Sequence, residues 1–146
     1  MRMAAQDVAA IRLMTGTCDW VWIEGNHDPK PPGDLGGRSA SEIKAGALVF
    51  RHEPTRGSAR GEVAGHLHPC AKVLGRGGRV RSRCFVSDGE RIVMPAYGAL
   101  TGGLNVLDAA FDRLFPNGLV AGILGRDGVY AAARERLAPD PTPTGD

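Results

Sequence analysis

Every histidine of this 146-residue chain sits in a short turn that follows a run of β-forming residues. Gly25-Asn26-His27-Asp28 comes directly after Trp20-Val21-Trp22-Ile23-Glu24. His52 stands in Arg51-His52-Glu53-Pro54, after the apolar run Ala45 to Phe50, and Gly65-His66-Leu67-His68-Pro69 comes after Glu62-Val63-Ala64. Folds that alternate strands with loops and helices gather their ligand-binding groups at the carboxyl ends of strands. If the three runs are strands, the four imidazoles are expected to meet at one edge of a sheet. An α/β fold is therefore the frame in which this spacing makes sense.

The remaining patterning fits that frame. Val8, Ile11 and Met14 recur at three-residue steps among alanines, which predicts a helix from Met3 to Met14 ending near Gly16 and packing on a sheet. Pro29 to Gly37 holds three prolines and three glycines, so an irregular loop is expected there. Ala45 to Phe50 reads as a buried strand and Glu62 to Ala64 as a short one. Ala71 to Leu74, Arg79 to Arg81, Arg83 to Val86 and Arg91 to Met94 predict an antiparallel meander. Ala96 to Gly103 predicts a glycine-rich loop that lacks a P-loop lysine and passes beneath the histidine turns. Asn105 to Phe115 predicts a helix stopped by Pro116, and Leu119 to Leu124 with Val129 to Ala132 a closing hairpin. Residues 1–138 are expected to form one domain and 139–146 a disordered tail.

Composition excludes more than it indicates. With 18 basic and 16 acidic residues, the net charge of +2 is too small to draw in a nucleic acid by bulk electrostatics. Three cysteines, Cys18, Cys70 and Cys84, give neither a disulfide framework nor CxxC spacing, which fits a reducing cytoplasm. No apolar stretch is long enough to suggest a membrane span, and the first residues do not read as a signal peptide.

The turn residues carry a definite chemistry. Neutral imidazoles from His52, His66 and His68, together with the amide oxygen of Asn26, form a mixed nitrogen and oxygen donor set. Such a set suits Mn, Fe or Zn better than Mg. Two divalent cations held about 3.5 to 4 Å apart can activate water and clamp a phosphoryl group. His66 and His68 are two residues apart and, on an extended backbone, would face the same side while Leu67 turns away. A zinc site built from His66, His68 and Cys70 lacks a fourth ligand.

These motifs resemble the third, fourth and fifth motifs of the calcineurin-like metallophosphoesterase superfamily. With Pro95-Ala96-Tyr97-Gly98-Ala99-Leu100-Thr101-Gly102-Gly103-Leu104-Asn105 added, they resemble its bacterial ligase-associated DNA damage response endonuclease branch. The resemblance covers most of the chain and implies a β-sandwich flanked by helices that hydrolyses phosphoester bonds. Two divalent metal ions, Mn with Fe or Zn as alternatives, would be the cofactors, and a hydroxide between them the nucleophile. Asn26, His52 and His66 would ligate the second metal and His68 the first. His27 would act as acid or charge stabiliser at the scissile phosphate, oriented by Asp28. DNA would be the substrate, and DNA ligase or helicase repair proteins the partners.

The family's first two motifs, Asp-x-His and Gly-Asp-x-x-Asp, have no counterpart. The resemblance thus implies a fold lacking its first strands, through a start assigned too late or a shortened gene, the former being the expectation. Arg76, Arg79, Arg81 and Arg83 form a basic stripe able to track a phosphate backbone, although alternating arginines also form ordinary solvated faces. Two other functions remain open at this point: a phosphodiesterase acting on small nucleotides, and a non-catalytic remnant serving as an interaction module.

Overall fold

The computed structural model describes residues 3–27, 29–30, 33–57, 59–75 and 78–141. Helix α1 spans Ala5–Thr17 and is followed by strand β1, Val21–Ile23. β1 pairs in parallel with β2, Arg38–Ala40, in a two-stranded sheet of their own. The rest of the chain builds a larger mixed sheet from β3 (Glu42–Ala45), β4 (Leu48–Arg51), β5 (Glu62–Ala64), β6 (Cys70–Gly75), β7 (Gly78–Ser87), β8 (Ile92–Val93), β9 (Val120–Leu124) and β10 (Val129–Ala133). Its order runs β10-β9-β7-β8-β5-β4-β3, with β6 also on β7. The architecture is the sheet-dominated α/β type that the strand-and-turn pattern predicts.

Three elements differ from expectation, each for a local reason. The apolar run Ala45 to Phe50 is not one strand. Gly46 adopts φ +60°, a conformation with little cost only for glycine, and the chain folds back so that β3 and β4 form a hairpin with Ala45 opposite Leu48. The helix foreseen from Asn105 shrinks to α2, Ala109–Asp112. Asn105 and Asp108 turn their side chains onto backbone N–H groups, Asn105 Oδ1 onto Leu107 at 2.9 Å and Asp108 Oδ1 onto Ala110 at 2.9 Å, so the helix begins only at its Asp108 cap. Helix α1 has no fully buried residue. Only Val8, Ile11 and Thr15 are half-buried, and the helix rests on the loop at 34–36: Thr15 Oγ1 donates to Leu35 O at 2.7 Å and Arg12 Nε to Asp34 O at 2.7 Å.

The core lies elsewhere. Ala71, Cys84, Val86, Val93, Ala121, Ile123 and Ala132 from the sheet pack against Val106, Phe111, Leu114, Phe115 and Leu119 from the 105–119 segment. Alternation along β7 and β9 supplies this face: Cys84 and Val86, then Ala121 and Ile123, point inward. β7 is one strand where two were foreseen. Its first part pairs with β6 and its last four residues with β9, which lets a single strand carry the meander. At the C-terminal end, Ala138 N donates to Lys72 O at 2.7 Å, and Asp140 lies by Arg81 (3.3 Å) and Lys72 (3.9 Å). Residues 142–146 lie outside the described residues.

Candidate metal centre

β4, β5 and β8 are adjacent and parallel, so the residues after Arg51, Ala64 and Val93 emerge at one edge of the sheet. His52 leaves β4, Gly65 to His68 leave β5, and the loop beginning at Met94 leaves β8. Two backbone hydrogen bonds carry the pairing past the strands: Gly65 N donates to His52 O at 2.9 Å, and Met94 N to Ala64 O at 2.7 Å. Asn26 arrives from the other sheet, at the end of β1. Gly25 makes this approach possible, because a Cβ there would lie 3.0 to 3.2 Å from the His52 ring.

Three donor atoms meet as a result. His52 Nε2 lies 2.7 Å from Asn26 Oδ1 and 3.1 Å from His66 Nδ1, with the two imidazole rings nearly perpendicular at 72°. A single proton on Nε2 cannot serve both contacts well. Given to the amide oxygen, it leaves His66 Nδ1 facing a nitrogen with no lone pair to offer; withheld, it sets the lone pairs of Nε2 and Oδ1 against each other. A cation among the three resolves the conflict, because each then points a lone pair at positive charge. Donor atoms 2.7 and 3.1 Å apart are close enough for one divalent ion to be held among them. The donor set therefore fits a divalent ion. Among the described residues no three His, Cys, Asp or Glu side chains cluster in this way; here an amide oxygen completes the group.

The electrostatics agree. Burial holds the His52 pKa below its ordinary value, and the nearby imidazoles of His66, His68 and His27 push it the same way, against an opposing pull from Glu53. His52 thus stays neutral, the form that ligates.

The Gly65–Pro69 turn corrects the extended geometry foreseen for it. His66 and His68 both take positive φ, 64° and 48°, in a region where a non-glycine residue is strained by about 1 kcal/mol or more. Leu67 between them packs on the core, and its N–H donates to Gly65 O at 2.7 Å. Gly103 passes directly beneath, where a Cβ would collide with His68 O and with Cys70 Sγ. The glycine-rich loop therefore supports the turn from below, as its composition suggested.

His27 is exposed beside Asn26, in the turn that leaves β1. Asp28 and Arg76 lie outside the described residues. Arg79, Arg81 and Arg83 share one face of β7, but their guanidinium groups have different surroundings. Arg83 donates to the carbonyls of Tyr97 (3.3 Å), Gly98 (2.5 Å), Ala99 (3.3 Å) and Thr101 (3.4 Å), while Arg81 donates to Gly103 O at 2.6 Å and pairs with Asp140. Arg79 is exposed toward the β6–β7 tip.

A buried ionic group beside the segment that follows His52 was not foreseen. Glu62 and Arg91 are 2% and 3% exposed, with Arg91 Nη1 3.4 Å from Glu62 Oε2. Thr55 N and Oγ1 donate to Glu62 Oε1 at 2.9 and 2.7 Å, Arg51 Nε lies 3.6 Å away, and Arg91 reaches the carbonyls of Thr55 (2.8 Å) and Gly57. The segment after His52 is thereby anchored to β5. One signal in the sequence pointed here: Glu62 shares a strand face with the fully buried Ala64. Cys70 and Cys84 are packing residues; burial pushes the Cys84 thiol up to about 12.

A cleft of about 470 Å³, lined by Glu24, Asn26, Glu42, Arg51, His52 and Glu53 among others, opens beside the donor cluster. Among the described residues no helix is long and apolar enough to cross a membrane. No protein-family model and no curated protein matches the sequence. Among solved structures, the chain is similar to the Pseudomonas putida nuclease MPE, with a TM-score of 0.64 and 29% identity over 88% of this chain and 62% of that one. The chain thus spans less than two thirds of that nuclease. What the two share is the mixed, sheet-dominated α/β fold, with strand ends that carry the histidine turns of this chain.

Proposed function

We propose that this chain is a metal-dependent phosphoester hydrolase of the calcineurin-like metallophosphoesterase type, acting as a nuclease on DNA. The meeting of Asn26 Oδ1, His52 Nε2 and His66 Nδ1 carries the reading, and the likeness to a nuclease supports it. A role in DNA repair beside ligase or helicase proteins extends it, on the strength of the motif resemblance alone. Asn26, His52 and His66 would hold one divalent ion and His68 would contribute to a second, with Mn the best fit and Fe or Zn alternatives. A cation bound there supplies Lewis acidity to a phosphoryl oxygen and makes water a stronger acid.

The protein groups have separable tasks. His52, its pKa held down by burial, stays neutral, and His52 and His66 would turn ring-nitrogen lone pairs inward. The Glu62–Arg91 pair anchors the segment that follows His52, through Thr55 and Gly57. On the motif resemblance, His27, exposed beside Asn26, would act as acid or charge stabiliser toward the departing oxygen, oriented by Asp28.

The test measures bound Mn together with hydrolysis of an aryl phosphodiester. His66→Ala should lose both, whereas His27→Ala should keep its metal and lose turnover. Equal metal loss in the two variants would defeat these assignments.

One observation favours a second reading. Among the described residues His68 makes no side-chain hydrogen bond, so only one three-donor cluster is evident. On that reading the chain is a non-catalytic interaction module that holds at most one cation weakly and does not hydrolyse. Metal titration separates the two, with two equivalents for the hydrolase and one weak site or none for the module.

A further inference from the structure

The loop between β8 and the Asn105 turn presents two large apolar side chains that nothing in the fold uses. Tyr97 is 103% and Leu100 99% exposed, the highest exposures among the large hydrophobics of the described residues. A pliable loop would fold such groups down onto the protein, since covering apolar surface is favourable. This loop is prevented from doing so. Arg83 holds the carbonyls of residues 97, 98, 99 and 101, Arg81 holds that of Gly103, and Thr101 N closes a turn on Gly98 O at 3.3 Å. The arginines are used as struts, and the apolar side chains project outward from a fixed frame.

The position of the frame is as informative as its rigidity. The loop leaves β8 at the sheet edge where β4 and β5 deliver His52, His66 and His68, and it returns at Gly103 beneath His68. The exposed cation Arg79 lies on the β7 face whose next two alternate residues hold the loop. An aromatic ring, an aliphatic side chain and a guanidinium beside a phosphate-hydrolysing centre match a single nucleic-acid strand, with bases stacking on the ring and a phosphate meeting the charge.

We propose that the Tyr97–Leu100 loop is a base-stacking platform that holds single-stranded nucleic acid beside the metal centre, with Arg83 as its positioning residue. The proposal rests on the nuclease reading and adds to it the form of the substrate.

Binding of a short labelled single-stranded oligodeoxynucleotide, followed by fluorescence anisotropy in EDTA, tests it without reliance on turnover. Tyr97→Ala should raise Kd by about ten-fold or more, the range expected for loss of one base–aromatic stack, while Tyr97→Phe should stay within about two-fold of the parent. An abasic oligonucleotide should bind the parent and Tyr97→Ala alike. Equal binding of the normal strand by the parent and Tyr97→Ala would overturn the proposal. So would a loss on Tyr97→Ala that persists with the abasic strand, because the ring would then act through something other than a base. Hydrolysis of an aryl phosphodiester by the parent chain with Mn is read separately: its absence defeats the hydrolase reading, whereas its presence with unchanged Tyr97→Ala binding defeats only the platform.

Discussion

The segment before β3 and the sheet that follows it are held by different forces. Among the described residues from 3 to 40 only Leu35 is buried, and Met3 ahead of α1 is exposed, as are Leu13 and Met14 on it. From Ala71 to Ala132 a cluster of buried side chains closes around Phe111 and Phe115. The candidate donor cluster straddles the two, taking Asn26 from the first and His52 and His66 from the second. A rigid half therefore sets the positions of the imidazoles, and a lightly held half brings in the amide. Lightly packed segments open at a lower free-energy cost than the global fold. The Asn26 contact is accordingly the part of the cluster held most lightly by the fold.

Mutations can break this contrast. Phe111→Ala should cost about 3 to 5 kcal/mol in urea-induced unfolding, because it empties a fully enclosed site. Glu62→Ala comes next, at about 3 kcal/mol, since it strands the Arg91 guanidinium inside the protein. It should also weaken metal binding by loosening His52, which calorimetric titration would read.

A change of pH probes the centre more gently. His52 has a lowered pKa in the folded state, so the unfolded chain takes up its proton first. Its share of stability is complete above the ordinary value of 6.5 and is lost as pH falls through the lowered one. Cation affinity should decline over the same acid range, and His52→Ala should flatten that part of the melting profile. The smallest effect is expected in the first region. Leu13→Ala should change unfolding by no more than about 0.5 kcal/mol, given its 70% exposure. A larger loss would mean that α1 is covered in solution and would erase the difference between the two regions.

Several elements were legible before any coordinates. β1, β5 and the β9–β10 hairpin appear where alternation and turn residues put them, because local patterning suffices for short strands bounded by glycine. The hairpin at Gly46 was read as one strand, since an apolar run conceals a single positive-φ residue. The arginine stripe reads either as a phosphate-tracking face or as an ordinary solvated one, since β periodicity tells which residues share a face but not what that face meets. Two of its three described members turned out to be tied to the loop at 97–103.

Residue order was enough to place four imidazoles at the ends of strands, because strand, turn and glycine preferences act over a few neighbours. It did not establish that the Asn26 oxygen and the two ring nitrogens converge, that Glu62 is sealed against Arg91, or that Tyr97 is held away from the surface. Each of those depends on closing contacts across 14 to 29 positions, and the energy of closure comes from packing that exists only once the sheet has formed.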